Sequence, residues 1–99
     1  MLIDTTFRTG YQDYQLTEIH HIDGHIVRID IRRDGYPEQS FARAQILATT
    51  RQWTTLATAP VGEWHEHAPG PSRLGGVPPV VRRLATGLRE RAERILALT

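Results

Sequence analysis

Five histidines and eleven carboxylates are the groups in this chain that could ligate a metal or move a proton, because it contains no cysteine. His65 and His67 flank Glu66. On an extended segment that spacing points both imidazoles the same way, as metal ligation requires, and turns Glu66 aside. The zinc-protease pattern is different, with histidines four apart on a helix and a Glu as general base. A third ligand has to come from elsewhere, and His20 and His25, which face together across a predicted hairpin, are the candidates. A divalent metal held by His65, His67, His20 and His25 is one reading. Exposed loop histidines beside Trp64 are the plainer one.

Glu18 and His20 form a second constellation. Two residues apart on a strand, they share a face, so carboxylate and imidazole can hydrogen-bond in a half-buried pocket, as general acid/base chemistry needs. No nucleophile, oxyanion nest or phosphate-cradling loop accompanies them, so no catalytic residue is assigned and no cofactor is implied. The run from Gly70 to Gly76 is glycine-rich but lacks the lysine and spacing of a P-loop, and it reads as linker.

All twelve basic residues are arginine. With frequent Ala, Gly and Pro, that is what a GC-rich bacterial genome produces, but the physical consequence stands: guanidinium forks onto carboxylates and phosphates and stacks on aromatic rings. Charge is segregated. Residues 1–71 carry six Arg against nine Asp and Glu, net −3, while 72–99 carry six Arg against two Glu, net +4. Arg82, Arg83, Arg89 and Arg94 form a stripe on the predicted C-terminal helix, with Arg73 just ahead of it. Arg28, Arg32 and Arg43 converge on one sheet face around Phe41, an arrangement suited to phosphate contact and base stacking. A net charge of only +1, and Asp30 amid the sheet arginines, argue for a solvated charged face instead.

The elements that position these groups follow from turns and periodicity. Asp23-Gly24 is a two-residue hairpin loop of the kind that needs positive φ at both positions. It places Tyr14, Leu16, Glu18, His20, Ile22, Val27, Ile29 and Ile31 on one face, and Gln15, Thr17, Ile19, Ile26, Arg28, Asp30 and Arg32 on the other. A second turn within 33–38, of two or four loop residues, keeps the same parity and puts Ser40, Ala42, Ala44, Ile46 and Ala48 inward, with Phe41, Arg43, Gln45 and Leu47 outward. An even loop near Thr50 then turns Trp53, Thr55, Ala57 and Ala59 inward, whereas an odd one turns Leu56 inward; the even loop is preferred because it buries the tryptophan. Residues 1–12 read as a loosely extended arm or short first strand, and 60–78 as a Pro/Gly-rich tether. From Pro79 to Leu98, Val81, Leu84, Leu88, Ala92, Ile95 and Leu96 or Leu98 recur at helical steps.

The sequence therefore predicts one α+β domain spanning 1–99, a four-stranded antiparallel β-meander over 13–59 with a C-terminal amphipathic α-helix, 79–98, packed on its small-residue face. No basic and apolar leader precedes it and no run of eighteen apolar residues occurs, so a cytoplasmic protein without a membrane partner is expected. Its outer face keeps Ile19, Ile26, Phe41 and Leu47, and with Trp64 these point to a small non-catalytic binding or assembly module for a protein partner or its own copy as a homodimer. A nucleic-acid-associated accessory protein using Arg28, Arg32, Arg43, Arg82, Arg83 and Arg89 is the second reading, and a His-dependent metal protein the third.

Overall fold

Asp23 and Gly24 sit at φ 50° and 81°, and this turn closes Ile22 against His25 with His20 opposite Val27. The computed structural model describes residues 1–71 and 74–98, so Arg73 lies outside the described residues. The hairpin joins β2 (Asp13–Ile22) to β3 (His25–Asp34). β3 continues to β4 (Phe41–Leu47), then β5 (Trp53–Thr58), and β1 (Leu2–Thr9) precedes them all. The sheet runs in chain order, β1-β2-β3-β4-β5, antiparallel throughout.

The sheet thus has five strands rather than four. Residues 1–12 read as a loosely extended arm or a short first strand outside the four-stranded meander, because Thr-rich stretches and Gly10 interrupt Leu2, Ile3, Phe7 and Tyr11. What closes the loop between β1 and β2 is Gly10. Its amide donates to the Asp13 carbonyl at 2.7 Å, and a Cβ there would collide with the Asp13 carboxylate.

The second connection is longer than either expected form, with Arg32 opposite Phe41 and a 3₁₀ turn at Pro37–Gln39 between them. Ser40 closes it: its Oγ accepts from the Asp34 amide at 2.8 Å and donates to the Tyr36 carbonyl at 3.1 Å. Parity is unchanged, so Ala42 and Ala44 face inward as expected and are 2% and 0% exposed.

The loop before β5 corrects the even-loop expectation. Three residues, Thr49 to Arg51, separate Ala48 from Gln52, whose carbonyl accepts the Ala48 amide, and Arg51 supplies the left-handed residue at φ 64°. Trp53 therefore lands opposite Leu47 on the outer face. A bulge between Ala44 and Gln45 then resets the phase, pairing Ala57 with Ala44 and letting both Leu56 and Ala57 join the core.

α1 (Val61–Trp64) and a 3₁₀ turn at His65–His67 shape the segment expected to be a tether, and α2 (Pro79–Ala97) follows. Val81, Ala85, Leu88, Ala92 and Leu96 of α2 are buried against the inner face of β3, β4 and β5, where alanines permit close approach. Leu84 and Ile95 flank that stripe half-buried, while Leu98 is exposed. Burying aliphatic side chains of this size contributes roughly 1.5–3 kcal/mol each. No helix among the described residues is long and apolar enough to cross a membrane.

Candidate functional site

With α2 on the inner side, the other face of the sheet is left uncovered. Its rungs follow from the strand register: Arg8, Gln15, Arg32 and Phe41 in one, Thr6, Thr17, Asp30, Arg43 and Thr58 in the next, then Asp4, Ile19, Arg28, Gln45 and Thr55, with His21 beside Ile26 and Leu47 beside Trp53 at the far end. Four of the five expected contact residues, Ile19, Ile26, Phe41 and Leu47, are on this face. Ile19, Ile26 and Phe41 are half-buried by their neighbours and Leu47 is exposed. The face groups Ile19, Ile26, Leu47 and Trp53 at one end and sets Phe41 apart beyond the Asp30–Arg43 rung.

Between the two apolar ends lies a polar belt of two hydrogen-bonded groups, one running through Asp30 and Asp13 and the other joining Arg28 to Gln45. Asp30, 4% exposed, accepts from Gln15 Nε2 at 2.6 Å, Thr17 Oγ1 at 3.2 Å and Arg43 Nη2 at 3.3 Å. Arg28 donates from Nε and Nη2 to Gln45 Oε1 at 3.0 and 2.6 Å. Arg32 reaches Asp13 at 2.9 Å and Asp34 at 3.2 Å, and Arg8 reaches Gln15 at 2.8 Å. Two guanidiniums sit over rings, Arg28 Cζ 4.3 Å from the Trp53 centroid and Arg43 Cζ 4.1 Å from that of Phe41. Planar guanidinium held between a hydrogen-bond acceptor and an aromatic face loses little further freedom on binding. Each of the three sheet arginines expected to bind phosphate already has an acceptor within the chain.

Trp53 is the residue that sequence reasoning missed here. Its place depends on Arg51 adopting a left-handed conformation, for which no glycine or asparagine gives a signal. Trp64, expected on an exposed loop, is 4% exposed and donates from Nε1 to the Ala59 carbonyl at 3.4 Å. The segment folds back onto the core instead of standing away from it, which removes Trp64 from the outward contact set.

The histidines separate into distinct environments. His65 and His67 occupy a 3₁₀ turn, not an extended strand, so their imidazoles diverge: His65 is buried, with Nε2 donating to the Asp34 carbonyl at 2.8 Å, and His67 is exposed. Asp34 ends β3 and His25 begins it, about 30 Å away along a ten-residue strand. The four expected ligands are thus split between opposite ends of the sheet. Among the described residues no group of three or more His, Asp or Glu is placed to hold a metal ion. His20 pairs with Glu18, Nε2 to Oε1 at 3.0 Å, on the inner face as expected. Two open hollows, one beside Pro69 and Arg82 and one beside Met1 and Glu93, are lined by neither of them.

On α2, Arg89 pairs with Glu93 at 2.5 Å and Arg91 donates to the Thr58 carbonyl at 2.8 Å. Arg82, Arg83 and Arg94 are exposed, without a partner among the described residues. Comparison with protein-family models, with curated proteins and with solved structures finds no match for this chain.

Proposed function

We propose that this chain is a small non-catalytic binding module whose uncovered sheet face recognises a protein surface, that of another protein or of its own copy. The observation that carries the reading is the pair of guanidinium–ring contacts, Arg28 over Trp53 and Arg43 over Phe41, each arginine also held by a hydrogen bond, to Gln45 and to Asp30. Arginine and tryptophan dominate the energetics of protein interfaces, and side chains already locked by their neighbours bind at low entropic cost. Ile19, Ile26 and Leu47 supply the apolar surface beside Trp53.

The test is recovery of partners with the tagged full-length chain, comparing the parent with Ile26→Asp and Trp53→Ala. Recovered proteins should be lost from both variants and kept by Arg82→Ala/Arg83→Ala. Retention by Ile26→Asp and Trp53→Ala would refute the proposal.

Arg82, Arg83 and Arg94, exposed and without a partner among the described residues, support a second reading, attachment to nucleic acid through α2. It predicts binding to generic DNA or RNA whose dependence on log salt becomes shallower by about two phosphate contacts in Arg82→Ala/Arg83→Ala. Binding that is absent at low salt, or a slope unchanged by that variant, rejects it.

A further inference from the structure

The two edges of the sheet are unlike. β5 is short and bulged, and α2 reaches over its end through the Arg91 bond to Thr58. β1 is eight residues long, hydrogen-bonded to β2 on one side only, and exposed along its length except at Phe7. It carries no proline and no lysine, its charged side chains lie in the outer-face rungs and its bulge is confined to its start, so from Asp4 onward no proline or bulge interrupts the edge. The bulge between Leu2 and Asp4 leaves Asp4 to Thr9 in continuous register.

Which backbone groups are free follows from the ladder. The Gly10 amide points at Asp13, so in the same register Arg8, Thr6 and Asp4 also turn their amide and carbonyl towards β2. Thr5, Phe7 and Thr9 turn theirs to the open edge. A second antiparallel copy centred on Thr6 would pair Thr5 with Phe7 of the second copy in hydrogen-bonded rungs. Thr6 with Thr6, and Asp4 with Arg8, would fall in the non-hydrogen-bonded rungs, where side chains approach most closely. Asp4 has no partner among the described residues. Arg8 is 56% exposed in its side chain and among the described residues uses only Nη2, on Gln15 and Asp13.

We propose that β1 is a self-association edge: two copies of this chain pair through it antiparallel about Thr6, joined by reciprocal Asp4–Arg8 contacts into one ten-stranded sheet. The outer faces of the two copies would then form a single platform. This edge is separate from the face proposed above, and each can fail without the other. Main-chain pairing over so few residues lies at the small end of protein interfaces, below about 1,200 Å², which implies a micromolar dimer.

Sedimentation equilibrium of the full-length chain from low to high micromolar concentration, with circular dichroism to confirm folding, tests it. Parent chain should dimerise. Asp4→Arg, which sets like charges opposite each other twice, should weaken the dimer about tenfold, and adding Arg8→Asp should restore it. Because the chain has no native cysteine, mild oxidation of Thr6→Cys should yield a disulfide-linked dimer, while Thr5→Cys, displaced from its own copy across the axis, should yield far less. A parent chain monomeric throughout, a dimer indifferent to the charge exchange, or equal cross-linking of the two cysteine variants would overturn the proposal. So would a monomer whose edge binds only an unrelated extended peptide. Loss of partner recovery in Ile26→Asp with an intact Thr6→Cys cross-link would assign that effect to the face and leave the edge standing.

Discussion

The Tyr14 hydroxyl donates to the carbonyl oxygen of Pro69 at 2.7 Å, tying the segment after α1 to the inner face of β2. His65 on Asp34 at 2.8 Å holds the same segment from its other side, so the stretch between sheet and helix is fastened rather than free. Tyr14 is fully buried, and burial pushes its phenol above the ordinary tyrosine range, partly offset by the Arg33 guanidinium. Tyr14→Phe removes the bond and should cost about 1 kcal/mol in urea denaturation at neutral pH.

The pH dependence of that residue has a definite sign. In the unfolded chain Tyr14 ionises near 10, in the folded chain above it, so the unfolded state releases its proton first. Its stabilisation is complete below that pH and declines as pH rises through the elevated folded value. With no lysine in the chain, this alkaline decline should be visible above about pH 9, as the unfolded-state tyrosine begins to ionise, and be shallower in Tyr14→Phe. Equal slopes in the two proteins would show that Tyr14 is solvated.

Asp30 is the hub of the outer belt, accepting from Gln15, Thr17 and Arg43. Asp30→Ala strands three donors on half-buried side chains and should cost about 2–3 kcal/mol. Asp30→Asn keeps an acceptor for Gln15 or Thr17 and should cost roughly half as much. Denaturant midpoints measure both; a neutral Asp30→Ala would mean that the belt is not formed in solution.

Arg51 holds φ at 64° in the loop before β5, a conformation that costs an L-residue about 1–2 kcal/mol and a glycine little. Arg51→Gly should therefore stabilise the protein by about 1 kcal/mol, raising the thermal midpoint by about 4–8 °C for a domain of this size. A lowered midpoint would contradict the three-residue loop, and with it the outward position of Trp53.

How far the sequence could be read depended on parity. The Asp23-Gly24 turn sets the register of β2 and β3, and the next connection, though longer than foreseen, brings Arg32 opposite Phe41 and so leaves every facing intact. Ile29 and Ala44 were legible as core for that reason. β1 was not, because its polar alternation offers no apolar face. Trp53 was not, because the left-handed Arg51 makes the preceding loop odd and so turns the strand over. The belt around Asp30 was half legible: spacing placed Arg28, Arg32 and Arg43 on one face, but only strand pairing reveals that Gln45, Asp13 and Asp30 already occupy them. Trp64 and His65 escaped because their burial is created by a fold-back with no periodicity.

Gly87 lies in the interior of α2, where glycine costs about 1 kcal/mol against alanine through backbone entropy. A Cβ built there meets nothing within 4 Å, and its φ is not in the left-handed region, so alanine fits the helix without strain. Gly87→Ala should therefore stabilise the protein by about 1 kcal/mol, and by an amount additive with Arg51→Gly if the two sites are independent. The double variant, followed by thermal and urea unfolding, reads both effects against one baseline. If Gly87→Ala destabilised the chain, α2 would have to lie closer to the inner face of the sheet at that turn than Ala85 and Leu88 place it.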